Sequence, residues 1–303
     1  MKSCRDGFGD ALVELGKKNK NIVAITADLS QSVRMDAFKK RFPERFFDVG
    51  VAEQNLIGVA SGLAHLGKIP FASSFGAFMP GMCFQQIRTA VSYNNANVKL
   101  VASHCGINVG EDGATHQMLE DISMMRSLPN MIVVSPCDYW QAKKAVVAVS
   151  KAGGPCYVRF GREEGVLTSA KTPFVLGKAQ VLKDGKDIAV VGCGGVLAEA
   201  LKAAEFLESE ISVMVVNMHT IKPIDELMLF HIAKKCGRII VVEDHSVHGG
   251  LGSAVSDAVS EGFPVPVYKM GMKTFGESGS AEELIKAFHL KSVDIIRKIK
   301  SVV

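Results

Sequence analysis

Ile22-Val23-Ala24-Ile25-Thr26-Ala27 (IVAITA) is an apolar run in which polar and apolar positions do not alternate. A strand that buries one face alternates, whereas an unbroken run suits a strand buried on both faces, as in a parallel sheet covered by helices. Val98–Ser103 (VKLVAS) has the same character. Further strands are expected at 70–73, 131–135 and 156–160. Helical periodicity fills the intervals near 10–18, 52–66, 84–93, 117–127 and 139–150. Such alternation predicts an α/β fold with a mostly parallel sheet and helices on both faces.

The chain turns polar from Gly161 to about Lys178 and includes Thr172-Pro173, which reads as a linker. Beyond it the alternation resumes. Strands are expected at 188–191, 213–217, 238–242 and 265–269, helices at 197–207, 225–235 and 251–259, and a final helix from about Ala281. The expected organisation is two α/β domains, residues 1–163 and 179–303, joined by a linker at 164–178.

The net charge of +4 over 303 residues is small, and the basic runs at Lys39–Arg41 and Lys291–Lys300 lack interleaved aromatics. They read as solvated helix faces, which argues against a nucleic-acid partner. No apolar run reaches the ~18 residues of a membrane span, and MKSCRDGFGDAL has no signal-peptide core. Seven widely spaced cysteines without a CxxC pair suit reduced thiols. A cytoplasmic protein is expected.

Chemistry concentrates in the first half. DVGVAEQN (Asp48 to Asn55) delivers Glu53 among Val51, Ala52, Leu56 and Ile57. A carboxylate in so apolar a setting needs a partner that shares or takes its proton. A helix N-terminus alone would also favour a carboxylate there. In an open parallel sheet, ligands gather at the carboxyl ends of strands. TADLS (Thr26 to Ser30), SSFGAF (Ser73 to Phe78) and His104-Cys105-Gly106 leading into VGEDGATHQ (Val109 to Gln117) fall at those points. The last loop could be a plain turn with Thr115 as N-cap, but His104 and His116 beside Glu111 and Asp112 suit proton transfer near neutrality.

Taken in order and spacing, ITADLSQS, DVGVAEQN, SSFGAF and VGEDGATHQ resemble the pyrimidine-binding domain of transketolases, which are thiamine-diphosphate enzymes. EDHSVHGGLGSAV (Glu243 to Val255) resembles the same family's carboxyl-terminal domain. The resemblance implies that Glu53 hydrogen-bonds a ring nitrogen of the cofactor's aminopyrimidine. It thereby promotes removal of the thiazolium C2 proton. It implies that Phe75 and Phe78 sandwich the pyrimidine and that Asp28 and Leu29 neighbour the cofactor. A third aromatic position of the family falls on Gly81. His104, Asp112 and His116 match residues that contact sugar hydroxyls and shuttle protons. Arg5, Ser32 and Arg162 match a sugar-phosphate clamp.

The diphosphate and its Mg2+ or other divalent cation are held in this family by an amino-terminal domain with a GDG…N signature. The comparable text here, Asp184-Gly185 followed by Asn217, reads as a hairpin turn. No metal ligand is therefore assigned. An amino-terminal transketolase subunit is the expected partner, in a heterotetramer with two copies of each chain. The implied activity is transfer of a two-carbon ketol unit from a ketose phosphate to an aldose phosphate, in pentose phosphate metabolism. Two other readings stand. One is the β subunit of a 2-oxo-acid dehydrogenase or a deoxyxylulose-phosphate synthase; the other is a non-catalytic regulatory or binding subunit.

In the second domain, GCGG (Gly192 to Gly195) lacks the third spaced glycine of a dinucleotide fingerprint and reads as a strand-to-helix turn. Glu243, Asp244, His245 and His248 have metal-ligand side chains but read as structural. HGGLG, opening a helix, offers an N-terminus to an anion.

Overall fold

The computed structural model describes residues 2–162 and 165–303; the expected domain boundary between 163 and 164 lies outside the described residues. Among the described residues twelve strands run in chain order: β1 Ile22–Thr26, β2 Phe46–Asp48, β3 Ile69–Phe75, β4 Lys99–Ser103, β5 Ile132–Val134, β6 Cys156–Arg159, β7 Gln180–Lys183, β8 Ile188–Gly192, β9 Val213–Asn217, β10 Thr220–Lys222, β11 Ile239–Ser246 and β12 Val267–Met272. They form a seven-stranded sheet of order β10-β5-β6-β4-β3-β1-β2 and a five-stranded sheet of order β12-β11-β8-β9-β7. Pairing is parallel except where β10 meets β5 and β7 meets β9.

The expected burial of both sheet faces holds. Ile22 and Ala24 of β1 pack with Phe8 and Leu12 of α1 (Cys4–Lys18) and with Val146 and Val149 of α6 (Tyr139–Lys151). Ile25, on the other face, packs with Leu56 and Ile57 of α3 (Glu53–His65) and with Ile122 and Met125 of α5 (Asp121–Ser127). The second sheet repeats the arrangement. Val190 faces α7 (Leu197–Phe206) and α11 (Ser292–Val302), while Val191 faces α8 (Glu226–Cys236) and α9 (Leu251–Gly262). Residues of both sheets share one buried cluster through Met218 and Ile221.

Several elements depart from expectation. α1 begins six residues early because Ser3 and Asp6 form a capping box, each side chain bonding the other's backbone amide. The 117–127 stretch is helical only from Asp121, since Met118 bridges Cys105 in a strand-like contact. The 84–93 stretch is broken into α4 (Met82–Gln86) and a π-helical turn, Ile87–Tyr93. Asp184-Gly185 is not a hairpin: β7 pairs with β9, so this segment carries the chain past β9 to β8. The helix at Ala281 (α10, Ala281–Ala287) is not the last, because α11 follows. A short α2 (Asp36–Arg41) precedes β2. Residues 165–178 carry no helix or strand, and no described helix is long and apolar enough to cross a membrane.

Candidate active site

The carboxyl ends of β1, β3 and β4 lie side by side, because these strands are neighbours in the first sheet. The amino end of α3 brings Glu53 to this rim. Its side chain is buried, and no side chain caps the helix ahead of it. Ser74 Oγ, from β3, donates to Glu53 Oε1 at 3.1 Å, while Oε2 has no hydrogen bond to any described residue. The nearby Cys83 thiol is pushed up to about 12, chiefly by burial and further by the negative charge of Glu53. One carboxylate oxygen is thus anchored and the other left for a ligand atom.

Two aromatic rings stand beside it. Phe75 ends β3, and Phe78 lies in a π-helical turn, Ala77–Gly81, that contains Pro80. Such turns interrupt regular helices at functional sites. The Phe75 and Phe78 centroids are 5.7 Å apart with planes at 22°. Phe75 also stacks on His104 at 3.7 Å, and Phe78 meets His116 edge-on at 5.2 Å. Gly76 must be small, since a Cβ there would come within 2.5 Å of Cys105 Sγ. At Gly81 an added Cβ would meet Met118 Sδ at 3.7 Å, so the third wall is sulfur and aliphatic rather than aromatic.

His104 follows β4 with φ of 56°, a left-handed conformation uncommon outside glycine. Ser103 Oγ lies 2.8 Å from its Nδ1. Burial, then the positive fields of Arg5, Arg162, His116 and Arg34, push its imidazole down to about 3. At neutral pH it is therefore an uncharged ring amid cationic groups. Arg5 Nη1 donates to the Ser32 carbonyl at 3.2 Å, and Arg162 Nη1 to the Val109 carbonyl at 2.9 Å. Both guanidiniums are thereby tied to loops of the rim. The Asp28 amide donates to Asp48 Oδ1 at 2.8 Å, joining the β1 loop to DVGVAEQN. Leu29 packs half-buried against the α1 core. His116 Nδ1 lies 3.0 Å from Thr115 Oγ1. Asp112 is exposed at the end of the Ile107–Asp112 3-10 turn and has no side-chain hydrogen bond among the described residues.

The structure also contributes residues that sequence reasoning missed. Ser74 is one, and Arg34 is another, placed by a left-handed turn and held by Asp6 at 2.9 Å. A buried network crosses to the second domain. Arg159 of β6 pairs with Asp121 at 2.9 Å, Tyr157 donates to Asp121 at 2.7 Å, and Arg159 Nη2 donates to the Asp244 carbonyl at 2.6 Å. Only the residue types of Asp244 and His245 hinted at a role, and the metal reading they invited does not fit their contacts. The anion expectation at HGGLG is overturned: Glu243 already fills the amino end of α9, accepting from the Leu251 and Gly252 amides at 2.7 and 2.8 Å. Burial raises this carboxyl to about 7. GCGG is a strand-to-helix turn, and Asn217 donates to Gln141 at 3.0 Å.

The first domain is thus a mostly parallel α/β sheet whose rim joins a buried carboxylate to stacked aromatics, and a second α/β domain follows it. The sequence profile of the transketolase pyrimidine-binding domain matches residues 1–166, and that of the transketolase C-terminal domain matches residues 177–295. The chain belongs to the transketolase family. A Methanocaldococcus jannaschii protein named as the C-terminal section of a transketolase is 46% identical, covering 98% of this chain and 95% of its own length. The 6-deoxy-6-sulfo-D-fructose transketolase subunit SqwH of a Clostridium species is 41% identical over 97% of this chain and 92% of its own. Mouse transketolase is 38% identical, but the chain spans only 49% of it. A solved structure described as "Split gene transketolase, inactive beta4 tetramer" superposes with a TM-score of 0.91 at 42% identity, covering 99% of this chain and 97% of that one.

The residues present fit one end of thiamine diphosphate. Glu53 Oε2 can share a hydrogen bond with a ring nitrogen, and the Phe75–Phe78 wall can hold a flat ring. They do not fit the other end: among the described residues no group of three His, Cys, Asp or Glu side chains could hold a metal ion.

Proposed function

We propose that this chain is the carboxyl-terminal subunit of a split transketolase. With an amino-terminal subunit that binds the diphosphate and a divalent cation, it transfers a two-carbon ketol unit from a ketose phosphate to an aldose phosphate. The observation that carries this reading is the buried Glu53 carboxylate, anchored by Ser74 on one oxygen and open on the other, beside Phe75, Phe78 and His104. Similarity to the M. jannaschii protein named as a C-terminal section supports the subunit assignment.

Thiamine diphosphate, when bound, supplies the electron sink for the two-carbon fragment. Glu53 hydrogen-bonds a ring nitrogen of the pyrimidine and orients the ring, and the low-dielectric pocket strengthens that bond. Phe75 and Phe78 orient the ring and exclude water from the face they cover. His104 and His116, with Asp112, bind sugar hydroxyls, and the His104 imidazole, kept uncharged by burial and the surrounding cations, serves there as a hydrogen-bonding group rather than as a base. Arg5, Ser32 and Arg162 bind the terminal phosphate, for which a guanidinium fork is suited.

Relatives named for 6-deoxy-6-sulfo-D-fructose and apulose 4-phosphate make the sugar a point to test. The complex is assayed with xylulose 5-phosphate and ribose 5-phosphate, with 6-deoxy-6-sulfo-D-fructose as alternative donor, and with pyruvate plus an electron acceptor. Sedoheptulose 7-phosphate supports the proposal. Turnover of the sulfosugar alone would keep ketol transfer and replace the sugar phosphate. Pyruvate oxidation without ketol transfer would favour the 2-oxo-acid reading.

A further inference from the structure

The loop that carries Asp112 and His116 is held from outside its own domain. Its first residues rest on β11: the Ile107 amide donates to Asp244 Oδ1 at 3.0 Å, and Asn108 Nδ2 donates to Asp244 Oδ2 at 3.1 Å. Its last residue, Gln117, donates to the Glu277 carbonyl at 2.8 Å and back to the Gly110 carbonyl at 3.3 Å. The Ser246 amide, two residues beyond Asp244, donates to the Leu119 carbonyl at 2.8 Å. Both ends of the loop are therefore set by the second domain.

Asp244 is itself immobilised. Its carbonyl accepts from Arg159, whose guanidinium is locked in the buried pair with Asp121. Gly106, at the loop's start, has φ of +82°, and a Cβ there would lie 2.0 Å from Asp244 Oδ2. The carboxylate thus occupies the space of a missing side chain, which brings β11 against the loop backbone. Replacing both of its acceptor oxygens would leave the Ile107 amide without a partner in a part-buried site.

We propose that Asp244 is a positioning residue for the sugar. It touches neither cofactor nor substrate, and it acts by fixing the 106–117 loop that presents Asp112 and His116. The role in sugar binding rests on the transketolase reading above; the effect on the loop does not. Uniform loss of substrate contacts raises KM, and misplacing a binding group by about 1 Å can cost as much as ~100-fold.

The test uses Asp244→Ala and Asp244→Asn in the complex with the amino-terminal subunit. In Asp244→Ala the KM for both sugar phosphates rises by about tenfold, while half-saturation by thiamine diphosphate, governed by Glu53 and the partner, stays unchanged. Asp244→Asn keeps an acceptor for the Ile107 amide and recovers most of the loss. Equal sugar KM values in wild type and Asp244→Ala, or a matching rise in the cofactor requirement, overturn the sugar role. Hydrogen exchange on the subunit alone reads the loop independently of any reaction. Amides of 106–117 exchange at least ~10 times faster in Asp244→Ala, and those of β3 do not. Unchanged loop exchange overturns the positioning, whereas a wild-type complex without ketol transfer contradicts only the proposed function and the sugar role built on it.

Discussion

Three buried histidines carry a common signature. His104 is pushed down to about 3, and His219 and His245 to about 4, each first by burial. An unfolded histidine takes a proton near pH 6.5, so below that value the unfolded chain binds protons that the native one refuses. Glu243, raised to about 7, works in the opposite direction between its unfolded value near 4.5 and pH 7. With three groups against one, stability falls as the pH drops from 6.5 toward 4, by about 1.4 kcal/mol per pH unit for each net proton. Calorimetric melting points should decline steadily from pH 6.5 to 5; a flat profile would contradict these burials. At this scale the sequence was informative where the candidate site is local. Glu53 stood out as a lone carboxylate in an apolar run, and His104 and His116 flanked one loop. Arg34 and Asp244 were illegible because their roles depend on contacts made through a turn and across 137 residues of chain.

The elements show a second kind of limit. Strands buried on both faces announced themselves through unbroken apolar runs, and the helices between them through periodicity. The short strands β2 and β10 did not, since three residues hold too little pattern. β10 comes from the second half of the chain yet completes the first sheet, where Lys222 donates to the Arg126 and Leu128 carbonyls at the end of α5. The amino end of α9 offers a clean test of element energetics. Glu243→Ala removes the acceptor of two buried amides, and unsatisfied buried donors cost about 1–3 kcal/mol each. Urea unfolding should show a loss of at least about 2 kcal/mol. A loss below about 0.5 kcal/mol would mean that the helix end is satisfied in another way.

At the scale of the whole molecule, the two sheets are less separable than their order along the chain suggests. They share a buried cluster, the second half of the chain lends β10 to the first sheet, and the two meet again where Asp244 and the residues around Glu277 hold the rim loop. A fragment ending at residue 178 would leave β5 without its edge partner and the loop without its support. It should aggregate or lack a cooperative melt in circular dichroism; a soluble, cooperatively folded fragment would show the second domain dispensable for folding. On the proposed function, half of the catalytic apparatus lies on another chain. This chain offers the pyrimidine end a carboxylate and two rings, while its described residues offer a divalent cation no cluster of ligands. The most direct measurement mixes this chain with an amino-terminal transketolase subunit, thiamine diphosphate and Mg2+, and follows sedoheptulose 7-phosphate from xylulose 5-phosphate and ribose 5-phosphate. The account predicts product only when both chains are present, and a fall in turnover of at least ~1,000-fold for Glu53→Ala with the complex intact. Equal turnover of wild type and Glu53→Ala in that complex would contradict it.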